Sequence, residues 1–117
     1  MISSYKDMKI YERSYKLALK LHKLTLNFPE EERYDLVSQI RRCSKSIPTN
    51  IAEGYGRKSK EELKRFLKIS LGSCNELQVH LDFSKDLKYM DIKEYEELSQ
   101  ECEEIGRMIY STIEKWI

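Results

Sequence analysis

Two histidines, His22 and His80, and three cysteines, Cys43, Cys74 and Cys102, are the side chains of this sequence best suited to metal or catalytic chemistry. The cysteines stand far apart, are odd in number and form no CxxC pair, so their spacing suggests neither a zinc knuckle nor a redox motif. Each falls at or beside an apolar helical position, where cysteine behaves as a small hydrophobe. Glu76 and His80 are four apart, whereas carboxylate-bridged di-iron bundles draw a Glu-x-x-His from each of two helices. Only one pair exists here, at a different spacing. Gly54-Tyr55-Gly56 reads as a helix stop rather than a phosphate cradle, because no strand is expected to precede it. The residues therefore predict no catalytic centre, no metal and no cofactor, and the chain is not expected to be an enzyme.

The chemistry that remains is electrostatic. The formal net charge is only +1, but residues 1–60 hold 13 Lys and Arg against 7 Asp and Glu, and residues 61–117 hold 8 against 13. Lys6, Lys9, Arg13, Lys16, Lys20 and Lys23 recur at steps of three and four, a basic row opposite the apolar rows of a first helix. Glu94, Glu97, Glu101 and Glu104, thickened by Glu96 and Glu103, form an acidic row near the C-terminus. A second basic cluster gathers Arg41, Arg42, Lys45, Arg57, Lys58, Lys60, Lys64, Arg65 and Lys68, with Tyr55 and Phe66 inside it. Solvated helix faces, complementary stripes for assembly, and phosphate-tracking patches all use such patterns. A nearly neutral monomer is poorly suited to strong DNA binding alone, but a ring of subunits gathers one patch per chain onto a single surface.

Between these charges lies Ser46-Ile47-Pro48-Thr49-Asn50-Ile51-Ala52-Glu53-Gly54-Tyr55-Gly56-Arg57, which has helical apolar spacing yet carries a proline and several polar residues. Gln39, Cys43, Ser46, Asn50 and Glu53 form a row roughly 100° around the helix from its apolar stripe. Ser73, Glu76 and His80 form a comparable row on the next helix. Asn50, Glu53, Ser73 and Glu76, with Arg42, are expected to make a partly buried polar network that fixes register; a subunit contact or a ligand pocket are the other readings. Gly72 is expected to permit close helix approach.

These rows need elements to position them. The chain is 117 residues and 14.0 kDa with 35% charged residues, four Gly and two Pro, the composition of one helix-rich domain. Apolar residues at steps of three and four predict helices over about residues 6–26, 30–54, 60–88 and 92–116. In the first helix Met8, Tyr11, Tyr15 and Ala18 make one apolar row, and Ile10, Leu17, Leu21 and Leu24 the other. Pro29 and the acids Glu30, Glu31 and Glu32 suit the first turn of the second helix, and Pro48 predicts a kink in it. The glycines after Glu53 are expected to end that helix in the left-handed conformation. Ser59-Lys60-Glu61-Glu62 and Asp91-Ile92-Lys93-Glu94 read as capping boxes, and Trp116 closes the apolar row of the fourth helix. The predicted fold is all-α, an antiparallel up-down-up-down four-helix bundle. No apolar run approaches the length of a membrane span. The N-terminal residues lack the apolar core of a secretory signal, so a cytoplasmic location is expected.

The segment from Ser46 to Arg57 also closely resembles the SIPsNIAEGxgr segment of small bacterial four-helix-bundle proteins, the 23S rRNA intervening-sequence protein family. Tyr5-Lys6-Asp7-Met8-Lys9-Ile10-Tyr11, Phe28-Pro29-x-x-Glu32, Gln39-Ile40-Arg41-Arg42 and Phe66-Leu67-x-Ile69-Ser70-x-Gly72-Ser73-x-x-Glu76-Leu77 are similar to other parts of that family. The resemblance implies a left-handed bundle that assembles into a homopentameric ring. Some relatives are encoded inside intervening sequences of ribosomal RNA genes. Others resemble the accessory variability protein of diversity-generating retroelements, a basic barrel that binds nucleic acid and a reverse transcriptase. The near-neutral charge of this chain departs from that type and argues against a reverse transcriptase partner. The expected function is binding of structured RNA or other nucleic acid, DNA included, through Arg41, Arg42, Arg57, Lys58, Lys64, Arg65 and the first-helix residues Lys9, Arg13, Lys16 and Lys20. The alternative is an oligomeric scaffold or protein-interaction module with no nucleic-acid role.

Overall fold

The computed structural model describes residues 2–115. It contains four α-helices: α1 (Lys9–Leu24), α2 (Leu36–Gly56), α3 (Lys60–Asp86) and α4 (Ile92–Lys115). Short 3-10 turns at Tyr5–Asp7, Thr25–Asn27 and Glu30–Glu32 complete the order, and no strand occurs among the described residues. Trp116, expected in the last apolar row, lies outside them. No helix among them is long and apolar enough to cross a membrane. Each helix packs on its neighbours in sequence, and α1 also packs on α4.

The predicted helices form, with informative differences at their ends. Asp91 and Glu94 make a full capping box: the Asp91 carboxylate accepts from the Glu94 amide at 2.8 Å, and the Glu94 carboxylate from the Asp91 amide at 3.2 Å. At α3 only half the box closes. The Ser59 hydroxyl accepts from the Glu62 amide, while the Glu62 carboxylate turns outward to Arg65. The second helix begins at Leu36 rather than near residue 30, and Glu30–Glu32 form a separate 3-10 turn. Continued backward, the core-facing stripe of α2 would present Arg33 and Glu30, so nothing apolar holds those residues to the bundle. The core is instead filled there by Phe28, buried with its ring centroid 5.4 Å from that of Tyr89.

Leu21, Ile40, Ile47, Ile51, Leu67, Leu77, Leu81, Ile105 and Ile109 are fully buried along the bundle axis, and Cys43, Cys74 and Cys102 are buried among them. Tyr15 departs from its expected core row and stands about half exposed. Pro48 lies inside α2 and is buried. Beside it, the Ser70 hydroxyl of α3 donates to the Ile47 carbonyl at 2.9 Å, a cross-helix bond next to the ladder position that proline leaves empty.

The glycines act differently from expectation. Neither Gly54 nor Gly56 takes a positive φ; Lys58 does, at φ 56°, and Lys88 at φ 66° serves the turn after α3. Left-handed backbone costs a non-glycine residue roughly 1–2 kcal/mol. Gly72 permits no close approach, since a methyl group there would meet nothing within 4 Å. Gly54 is the contact glycine. A Cβ on it would sit 2.8 Å from the Cβ of Phe66 and 3.3 Å from a methyl of Leu63, so α2 and α3 meet there backbone to side chain.

These two glycines should respond oppositely to the same change. Gly54→Ala is expected to destabilise the bundle by about 1–3 kcal/mol through overpacking. Gly72→Ala should stabilise it by about 1 kcal/mol through helix propensity. Thermal unfolding of both variants checks the pair; equal shifts would contradict the placement of the contact at Gly54.

Candidate functional site

Two surfaces collect the residues singled out by sequence: the turn between α2 and α3, and the seam along which those helices pack. At the turn, Phe66 is buried against Gly54 and its ring is flanked by two guanidinium groups. That of Arg65 lies 4.5 Å from the ring centroid and that of Arg57 lies 5.2 Å away. Each arginine also holds a carboxylate on its own helix, Arg57 with Glu53 at 3.4 Å and Arg65 with Glu62 at 3.0 Å. Lys58 is exposed on the left-handed turn and Lys64 is half-buried on the first turns of α3. This part of the basic cluster is brought together as one surface.

The other predicted basic residues are dispersed or occupied. Arg41 is half-buried and caps α1: its Nε donates to Thr25 Oγ1 and its Nη2 to the His22 carbonyl, both at 3.0 Å. It thereby satisfies a carbonyl that the helix end leaves unpaired. Arg42 donates to Gln39 Oε1 and pairs with Glu76 across the seam. Arg13 leaves the basic row of α1 and pairs with Glu101 at 2.6 Å and Glu104 at 2.8 Å on α4. Lys16 pairs with Glu12, and Lys9 and Lys20 are exposed. Lys20 and Lys23 line a shallow groove with Glu94 and Glu97. The basic row of α1 and the acidic row of α4 thus meet within one chain.

The expected polar network exists in pieces. Asn50 Nδ2 donates to the Ser46 carbonyl at 2.8 Å and to Ser46 Oγ at 2.9 Å, and Ser46 Oγ lies 2.8 Å from Ser73 Oγ. Glu76 joins Arg42 to His80, whose Nε2 is 3.3 Å away. Glu53 belongs to the basic turn through Arg57 and not to the seam. The pairs Arg42 with Glu76, Ser46 with Ser73, and Ile47 with Ser70 ascend on α2 while they descend on α3. Cys43 Sγ lies 3.6 Å from the Ile40 carbonyl, and burial, then the charge of Glu76, push its thiol up to about 12.

Sequence reasoning did not anticipate a groove of about 780 Å³ between α1 and α2. Tyr11 and Tyr15 stack along it with centroids 5.8 Å apart, and Tyr5 meets Tyr11 edge-on at 4.8 Å. Pro48 and Leu19 add apolar surface, and Arg41, Lys45 and Arg57 border it. The steps of Tyr11, Tyr15 and Leu19 carry the signal: Tyr11 is half-buried against the core, as its apolar row predicts, and Tyr15 turns to the groove.

The model of the 23S rRNA-intervening sequence protein family matches residues 6–111. The chain belongs to that family. Among solved structures, it is similar to a protein of unknown function from the S23 ribosomal protein family of Bacteroides thetaiotaomicron. That likeness has a TM-score of 0.80 at 25% identity and covers 89% of this chain and 97% of the other. No curated protein matches.

Two consequences for this family member are measurable. Ser46→Ala removes the joint of the seam and leaves the buried Ser73 hydroxyl and the Asn50 amide short of a partner, so a loss of about 1–3 kcal/mol is expected. Asn50→Ala should lower the melting temperature less, because it spares the Ser46–Ser73 bond; denaturant unfolding of the two variants checks this order. The Glu104 carboxyl is held below the usual carboxylate range, first by the hydrogen bond from Arg13 and then by its charge. The stability tied to it is present above the unfolded pKa and is lost as pH falls through the lowered folded one. Arg13→Ala should therefore lower the melting temperature at pH 7, and the gap to wild type should close as the solution is taken below about pH 4.

Proposed function

We propose that this protein is a non-enzymatic, homo-oligomeric helical bundle that binds structured RNA or other nucleic acid through the basic turn between α2 and α3. The observation that carries this reading is the arrangement at Phe66, where Arg57 and Arg65 lie against one buried ring with Lys58 and Lys64 beside them. A stacked guanidinium keeps its outward N–H groups available to phosphate oxygens, and the buried ring holds the two cations at fixed separation. Residues 41–68 carry 9 basic against 3 acidic side chains, which supports the same surface. Arg13, Arg41 and Arg42 tie one element to another, whereas Arg57, Arg65 and Lys16 pair only with a carboxylate three or four residues away. The binding set therefore narrows to Arg57, Lys58, Lys64 and Arg65, with Lys9, Lys16 and Lys20 as a second, exposed row.

Assembly belongs to the same proposal. The descending and ascending pairs on α2 and α3 support an up-down-up-down order of helices. Ile69, Val79 and Phe83 are exposed and fall within about 80° on α3, and Tyr15 and Leu19 are exposed within about 40° on α1, with Leu87 and Leu26 exposed just past the ends of those helices. Two unlike apolar stripes on one chain favour a head-to-tail contact between copies, and such a contact closes into a ring when its rotation permits. The family likeness points to five subunits. A cytoplasmic location fits a partner such as RNA, and the near-neutral charge disfavours a reverse transcriptase.

The engagement of Arg13, Arg41 and Arg42 within the chain favours a second reading, an oligomeric scaffold without nucleic acid. Binding to a labelled structured RNA across a salt series, with mass followed by light scattering, separates the two. The proposal expects affinity to fall steeply with salt at constant oligomer mass, and Arg57→Glu with Arg65→Glu to abolish binding. No binding at low salt would leave the scaffold.

A further inference from the structure

Three different metal-binding side chains that are scattered in sequence come together halfway along the α2–α3 seam. Cys43 reaches in from α2, and Glu76 and His80 stand one helical turn apart on α3; one ligand atom from each lies within 4.8 Å of the other two. We propose that Cys43 Sγ, a Glu76 carboxylate oxygen and His80 Nε2 form a binding site for a divalent cation of the zinc class, which would tie α2 to α3.

The donor set is one that zinc takes. Zinc takes thiolate, imidazole and carboxylate ligands together, at about 2.3 Å for sulfur and about 2.0–2.2 Å for nitrogen and oxygen. Tetrahedral bonds of that length place a nitrogen and an oxygen about 3.3–3.4 Å apart, and His80 Nε2 lies 3.3 Å from Glu76 Oε2. Cys43 Sγ donates to the Ile40 carbonyl at 3.6 Å, a weak bond that coordination would replace. The site is graded from inside to outside. Cys43 is fully buried, while the side chains of His80 and Glu76 are 17% and 37% exposed, which leaves a path from solvent and a fourth position for water.

Arg42 completes the argument. Its guanidinium pairs with Glu76 Oε2, the same oxygen that faces His80, so a positive charge already occupies the place beside that carboxylate. The Arg42 side chain is more than half exposed, and its bonds to Gln39 Oε1 give it a partner on its own helix when it leaves Glu76. Metal binding would then exchange one cation for another at Glu76. The Cys43 thiol would release its proton to solvent as the sulfur–metal bond forms, driven by the charge of the ion itself.

Cobalt(II) is the probe, because its thiolate complexes absorb in the near ultraviolet and its ligand-field bands report coordination number. Titration of the reduced full-length chain is expected to give one equivalent bound, with a thiolate-to-cobalt band and tetrahedral ligand-field intensity, and zinc should displace it and raise the melting temperature. Cys43→Ser should abolish the near-ultraviolet band, and His80→Gln should weaken binding about tenfold or more. Arg42→Gln should tighten binding, an effect that a purely structural role for the cluster would not produce. Circular dichroism of each variant verifies folding. Absence of the band in folded wild type, or its survival in Cys43→Ser, overturns the site. Weaker binding by Arg42→Gln overturns the exchange at Glu76. RNA binding through the turn stands or falls separately.

Discussion

The approach of α2 to α3 at Gly54 is the contact from which the other features follow. With no side chain at Gly54, Phe66 seats directly on the α2 backbone, and its ring becomes the floor on which Arg57 and Arg65 lie. The same approach brings the two helices close enough for single hydroxyl groups to bridge them. Ser46 reaches Ser73 and Ser70 reaches the Ile47 carbonyl without any long side chain between. Short bridges of this kind tolerate little slippage, because a buried hydroxyl that loses its partner costs about as much as several methylenes of packing. Apolar burial drives the helices together; the hydroxyls decide in which register they meet.

Charge is managed by the same economy of distance. The basic row of α1 and the acidic row of α4 had three available meanings in the sequence. Within the chain they face each other, and Arg13 closes the gap with two carboxylates and a contact to Met108 sulfur at 3.2 Å. Arg41 is spent on carbonyls at the end of α1. Free positive charge is therefore smaller than a residue count implies, and what remains is divided between the turn that joins α2 to α3 and the exposed lysines of α1.

Much of the fold was legible because helix formation writes itself locally. Apolar steps of three and four gave all four helices, and Asp91 with Glu94 gave a start to within a residue. The failures share one physical cause: they depend on what lies across a gap. Gly54 and Gly72 look alike in sequence, and only the neighbour on the facing helix separates a tight contact from open solvent. Pro29 with three acids looks like a helix start, but with Arg33 and Glu30 at the inward positions there was nothing to bury. Tyr15 has the right spacing for the core and lines a groove instead. Spacing along α3 shows that Glu76 and His80 share a face, but not that Cys43 of α2 lies beside them. Lys58 was invisible in another way, since side-chain chemistry says little about a residue whose backbone takes over a task usually left to glycine.

Gly54 has a mechanical consequence as well. It lies near one end of α2, and Arg42 lies twelve residues earlier, about 18 Å along a helix that rises about 1.5 Å per residue. Between the two positions the Ser46–Ser73 and Ser70–Ile47 bonds also hold α2 to α3. A wedge at Gly54 would therefore load those short bridges first, and the Arg42–Glu76 pair beyond them only once they give.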